Sequence, residues 1–171
     1  SDITSAPLIV LVHGGGFKSG DENKDRFPLW ATDYARMGFV GASITYRKAN
    51  PIQSDTAIKA TWDVEDAIRY LKENAETYGI DPNKIIVIGS SAGGFATHGL
   101  NVGLNSDLVG DDLERAFPNT SSKVSGAITT GAAMVGNSAY DPLWMYDSED
   151  SPMLLLHNGV QDLETGVTWA G

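Results

Sequence analysis

The sequence contains no cysteine. That removes disulfides, thiolate metal sites and cysteine nucleophiles, and it leaves the redox compartment open. Basic residues are scarce: 12 Lys and Arg stand against 22 Asp and Glu, for a formal net charge of −10. Nucleic acid and anionic lipid surfaces repel a chain of that sign, so neither is expected as a partner. No apolar run approaches the roughly 20 residues of a membrane-spanning helix. No histidine pair has zinc-ligand spacing, and the carboxylates Asp147, Glu149 and Asp150 do not follow a calcium loop. No metal or other cofactor is expected. Compartment and oligomeric state stay undetermined.

What is present is the composition of an ordinary globular protein. The 171 residues are 42% hydrophobic and 20% charged, enough to bury a core in one domain, here taken as 1–171. Leu8–Val12 is an apolar run rich in branched residues, ended by His13 and three glycines, and predicts a buried strand. Further strands are expected at Val40–Tyr46, Ile85–Gly89, Val124–Thr130 and Met153–His157. Helices are expected at Phe27–Met37, with Pro28 in the first turn, and from an N-cap at Asp55 to about Tyr78. A third begins at Ala92 and runs to about Leu104. On the long helix Val64, Ala67, Ile68 and Leu71 form one apolar stripe, while Asp63, Glu65 and Asp66 read as solvated or ion-paired. Strand and helix alternate, and the strands show no polar-apolar alternation. That pattern predicts an α/β fold with a mostly parallel sheet covered on both faces. Ligands of such sheets bind beyond the carboxyl ends of the strands.

Two glycine-rich turns lie at such ends. Gly89-Ser90-Ser91-Ala92-Gly93 fits the strand–turn–helix pattern G-x-S-x-G, in which a strained turn pushes the serine hydroxyl out of the sheet. Ser91 is the candidate nucleophile, and the backbone N–H of Ala92 opens a helix, where it suits an oxyanion. His13-Gly14-Gly15-Gly16-Phe17 lets the backbone approach a ligand. Gly14, Gly16 and Gly20 also loosely suggest a dinucleotide loop. Against that, Lys18-Ser19-Gly20-Asp21-Glu22-Asn23 is polar where that fold starts an apolar helix, and the strand at Val40–Tyr46 does not end in an acidic residue. Phe17, Met134, Trp144 and Tyr146 are candidates for either a substrate pocket or plain core.

With HGGGF near the first strand and GSSAGG at a later one, the chain resembles the α/β-hydrolase superfamily. The resemblance is to its HGGG-type carboxylesterases and lipases, including the hormone-sensitive-lipase-like and feruloyl-esterase-like branches. The stretches "GIDPNKIIVIGSSAGG" and "GFVGASITYR" carry it further, from about Pro7 to Asp162. The resemblance implies Ser91 as nucleophile and the N–H groups of Gly15, Gly16 and Ala92 as the oxyanion hole. It also implies Asp162 as the acid, reached through "SPMLLLHNGVQD", with Glu164 in reserve. The departure is one extra residue, Asn158, before Gly159. The implied activity is cofactor-free hydrolysis of a small-molecule ester through an acyl-enzyme. Acyl and alcohol specificity are not implied.

The expected order is serine, acid, histidine, yet all three histidines, His13, His98 and His157, precede Asp162. His98 is seven residues along the helix from Ser91, roughly 10 Å further down its axis. His13 is placed to brace the glycine loop, and His157 closes the strand before the acid. The expectation is a chain incomplete at both termini, with its catalytic histidine beyond Gly171. The alternative is a catalytically inactive member of the fold that serves as a binding protein. The first expectation predicts that residues 1–171 alone hydrolyse short p-nitrophenyl esters far more slowly than an ordinary esterase. Ordinary turnover, abolished by Ser91→Ala, would show instead that an internal histidine serves.

Overall fold

The computed structural model describes residues 5–23, 26–53, 55–102, 116–131, 151–156, 161–162 and 167–168. Its centre is a five-stranded sheet. In chain order the strands are β1 (Ala6–Val12), β2 (Val40–Ile44), β3 (Ile80–Ser90), β4 (Gly126–Thr130) and β5 (Met153–Leu156). Their spatial order is β2-β1-β3-β4-β5, and every neighbouring pair is parallel. Four helices are described: α1 (Phe27–Arg36), α2 (Thr56–Glu73), the single turn α3 (Ala75–Tyr78) and α4 (Ala92–Val102). A separate antiparallel pair joins β6 (Gln161–Asp162) to β7 (Val167–Thr168).

β1 shows why its sequence carries no alternation. Leu8, Val10 and Val12 pack with Ala60, Val64, Ile68, Ala96 and Leu100 of α2 and α4, whereas Ile9 and Leu11 pack with Phe27 of α1. Both faces are covered, so both residue parities must be apolar. The helix over α2 carries the expected stripe, with Val64 and Ile68 fully buried and Ala67 and Leu71 partly so.

Several boundaries differ from the sequence expectation. The long helix stops at Glu73, because Asn74 turns its side-chain amide onto the Tyr70 carbonyl at 2.8 Å and leaves helical geometry. Gly79, at φ +66, then closes α3. Asp55 is the N-cap residue but makes no side-chain cap; its carboxylate pairs with Lys59 at 2.5 Å. β3 begins early, at Ile80, which pairs with Ala6 before a register shift and the regular ladder from Ile85. β2 ends at Ile44 and β4 starts at Gly126, both shorter than expected. α4 is described to Val102 and β5 to Leu156, and the expected extensions of both lie outside the described residues.

Asp63, Glu65 and Asp66 of α2 are ion-paired, and Glu65 is buried. Asp63 holds Arg47 at 2.8 Å, while Asp66 and Glu65 hold Arg69 at 2.7 and 3.4 Å. Arg69 also donates to the Thr120 carbonyl at 3.0 Å, and Lys72 donates to the carbonyls of Ser121 and Lys123. Partial burial, with Arg69 nearby, lowers the Lys72 pKa. These bonds hold the segment entering β4 against α2. Core burial dictates the stability consequence: Ile68→Ala is expected to cost about 2–5 kcal/mol. Leu29→Ala, at a side chain 62% exposed, should stay within about 0.5 kcal/mol. Urea denaturation of the two variants checks the contrast.

Candidate active site

The strand end of β3 turns directly into α4, and Ser91 occupies the turn with φ +53. A non-glycine residue there is in the left-handed region, a conformation held only when the surroundings over-determine it. Two backbone bonds do so. The Ser91 N–H donates to the Thr130 carbonyl at 2.8 Å, and the Ser91 carbonyl accepts from the Phe95 N–H at 3.0 Å. The amide of Ser91 is thereby tied to the end of β4. Ala92, buried at the start of α4, is the next amide in a turn whose first N–H groups have no intrahelical acceptor.

The glycines around Ser91 are required by contact. A Cβ on Gly89 would lie 2.3 Å from both the Gly93 carbonyl oxygen and Thr97 Oγ1. A Cβ on Gly93 would lie 2.3 Å from the Val12 oxygen and 2.4 Å from the His13 oxygen. The end of β1 therefore runs across the first turn of α4 at backbone contact. The loop that follows is correspondingly close to the serine: a Cβ on Gly14 would stand 3.0 Å from Ser91 Cβ and from the Ser90 oxygen. The Gly15 carbonyl turns back into its own loop and accepts from the N–H groups of Lys18 and Ser19 at 3.1 and 3.2 Å. Gly15, Gly16 and Phe17 have φ of +130, +59 and +58. Ser91, Ala92 and the glycine loop thus meet at the carboxyl end of the sheet.

His13 is fully buried. Its Nδ1 lies 2.7 Å from the Gly14 oxygen, its Nε2 lies 3.1 Å from Thr45 Oγ1, and its ring stacks on Tyr46 with centroids 4.4 Å apart. The Tyr46 hydroxyl donates to the His13 carbonyl at 2.8 Å, and burial pushes its pKa well above the ordinary phenol value, so it stays a donor. Phe17 packs edge-on against Tyr46 and Phe95 at 6.0 and 5.7 Å. His13 braces the loop, as expected from sequence. The partners Thr45, Tyr46 and Thr130 had not been singled out, because nothing in their local pattern marks them. His98 is buried on α4. His157, Glu164, Met134, Trp144 and Tyr146 lie outside the described residues; Asp162 is placed by its backbone in β6, with its side chain undescribed. Among the described residues no group of three His, Asp or Glu side chains is arranged to hold a metal.

Comparison with known proteins bears on family and fold. The BD-FAE family model matches residues 1–137. Phenmedipham hydrolase of Pseudarthrobacter oxydans is 38% identical over 99 residues, covering 54% of this chain and 19% of that protein. Gut esterase 1 of Caenorhabditis elegans is 27% identical over 129 residues, covering 72% of this chain and 22% of that protein. The chain thus spans about a fifth of the length of these curated relatives. Among solved structures, a propionate-bound esterase of Thermogutta terrifontis superposes with a TM-score of 0.67 at 21% identity, over 93% of this chain and 63% of that one. A truncated carbohydrate esterase from gut microbiota gives 0.70 at 20% identity, over 94% and 69%. Both likenesses show the α/β-hydrolase fold.

The contacts at the turn separate two glycines that look alike in sequence. Gly93→Ala drives a methyl group into two carbonyls and is expected to cost about 3 kcal/mol. Gly16→Ala meets nothing within 4 Å and carries only the left-handed strain, about 1–2 kcal/mol. Midpoints of urea denaturation at unchanged slope measure the difference.

Proposed function

The chain belongs to the BD-FAE family, within the α/β-hydrolase carboxylesterases, and from that premise we propose that it carries the nucleophile and oxyanion hole of a serine carboxylic ester hydrolase. The observation that supports this most directly is the approach of the glycine loop to the nucleophile turn, with the Gly14 Cβ position 3.0 Å from Ser91 Cβ. Val12 pairs with Gly89 in the ladder, so strand register brings the glycine loop level with a serine 77 residues further along the chain.

In this reading Ser91 Oγ attacks the carbonyl carbon of a small-molecule ester. The charge that develops on the carbonyl oxygen is taken up by the N–H groups of Gly15, Gly16 and Ala92, each worth about 3 kcal/mol in the transition state. Collapse of the tetrahedral intermediate expels the alcohol and leaves Ser91 acylated; water then attacks the acyl carbon and releases the acid. A histidine takes the serine proton and passes it to the leaving alcohol, oriented by Asp162, with Glu164 in reserve. None of the described histidines suits that role. Both ring nitrogens of His13 are engaged with Gly14 and Thr45, and His98 lies two turns along α4. The relative named gut esterase 1 supports the reaction class, and phenmedipham hydrolase supports hydrolysis.

The competing reading, a catalytically inactive protein of this fold that binds without turnover, is favoured by that same engagement of His13. The two readings part on covalent chemistry. After incubation with p-nitrophenyl acetate, intact-mass measurement and peptide mapping should find one acetyl group on Ser91. The adduct should be absent from Ser91→Ala. A chain that stays unmodified at Ser91 is the result expected of the binding protein.

A further inference from the structure

The Gly14 carbonyl and the Gly15 N–H are the two ends of one planar peptide group, so whatever orients the carbonyl also orients the N–H. The Gly14 oxygen is held by His13 Nδ1 at 2.7 Å. A carbonyl oxygen can only accept, so Nδ1 carries the proton. The ring is fully buried, and a neutral imidazole carries its proton on one nitrogen only. Nε2 is then an acceptor, and the group facing it is Thr45 Oγ1 at 3.1 Å. Thr45 Oγ1 in turn lies 3.2 Å from Lys48 Nζ, which can only donate. Donor–acceptor complementarity thus assigns a single direction to the row: Lys48 donates to Thr45, Thr45 to His13, and His13 to the Gly14 carbonyl. Hydrogen bonds aligned in this way polarise one another, and a carbonyl that accepts one makes the N–H of the same peptide a better donor.

The segment that supplies Thr45 grips the loop at further points. Tyr46 donates to the His13 carbonyl at 2.8 Å and stacks on its ring. The Ala49 N–H donates to the Phe17 carbonyl at 3.0 Å, and Lys48 Nζ donates to the Gly20 carbonyl. Gly20 is packed so closely that a Cβ there would stand 2.6 Å from His13 Nδ1. The grip accounts for where the loop lies. Among these contacts Thr45 is the one that meets the ring at Nε2, the nitrogen that does not face Gly14.

We propose that Thr45 is a positioning residue of the oxyanion hole: through the tautomer of His13 it sets the direction and donor strength of the Gly15 N–H. The inference rests on the reading of the glycine loop given above. Its test uses the whole chain with Thr45→Val and the conservative Thr45→Ser. The first readout is the Gly15 amide by NMR: Thr45→Val should move its chemical shift and speed its hydrogen exchange, and Thr45→Ser should restore both. The second is Ser91-dependent hydrolysis of p-nitrophenyl acetate. Thr45→Val should lower kcat about tenfold with KM within about twofold, since a misdirected donor loses part of what a deleted one loses, and Thr45→Ser should recover it. An unchanged Gly15 amide in Thr45→Val overturns the proposal whatever the kinetics. A perturbed amide with unchanged kcat also overturns it. If Ser91 of the wild type takes no acetyl group from p-nitrophenyl acetate, the ester-hydrolase reading fails, and the amide response alone decides whether Thr45 orients Gly15.

Discussion

At the carboxyl end of the sheet, the backbone of β1 and the first turn of α4 touch with no side chain between them. Gly93 has two carbonyl oxygens, those of Val12 and His13, where its Cβ would be, and Gly89 has the Gly93 oxygen and Thr97 Oγ1 there. At such separations one methyl group must displace main chain, and main chain at a sheet end moves only by losing ladder bonds. The contact also decides how near the glycine loop comes to Ser91, because Gly14 follows directly on the residue that touches Gly93. The spacing of Ser91 and the glycine loop is thus set by main-chain packing, which is stiffer than any arrangement built from side chains.

Around that contact the sheet acts as a ruler. Gly89 pairs with Val12 on one side and Thr129 on the other, so the glycine loop, the turn at Ser91 and the end of β4 lie level. Levelness lets the Thr130 carbonyl take the Ser91 N–H and lets the segment after β2 fold over the loop. The covered faces contribute by immobilising the strands. α1 packs through Phe27 on one side, α2 and α4 pack on the other, and Arg69 and Lys72 hold the approach to β4 by its carbonyls. A site that requires a left-handed serine and a row of oriented amides needs that rigidity, because each strained residue must be held by its surroundings.

Features confined to neighbouring residues were legible in the chain. The apolar runs announced β1 and the main ladder of β3, since a strand buried on both faces has no polar parity. The i, i+3, i+4 stripe announced α2, and G-x-S-x-G between strand and helix announced the turn at Ser91. Boundaries were less legible. Asn74 ends α2 by capturing a carbonyl that the stripe ignores, and Ile80 joins β3 only because Ala6 lies beside it. His13 was legible as a brace by its place before three glycines, but its partners were not.

The sequence by itself determined the class of fold, the residue types at the turn and the identity of the nucleophile candidate. Each depends on periodicity or on a few adjacent side chains, and both are written in order along the chain. Only the tertiary structure decided which glycines have no room for a carbon, which carbonyl takes the Ser91 amide, and how Thr45 and Tyr46 come to hold His13. Those facts depend on strand register and on the crossing of β1 over α4. Both are set by the packing of residues tens of positions apart, which no local pattern encodes.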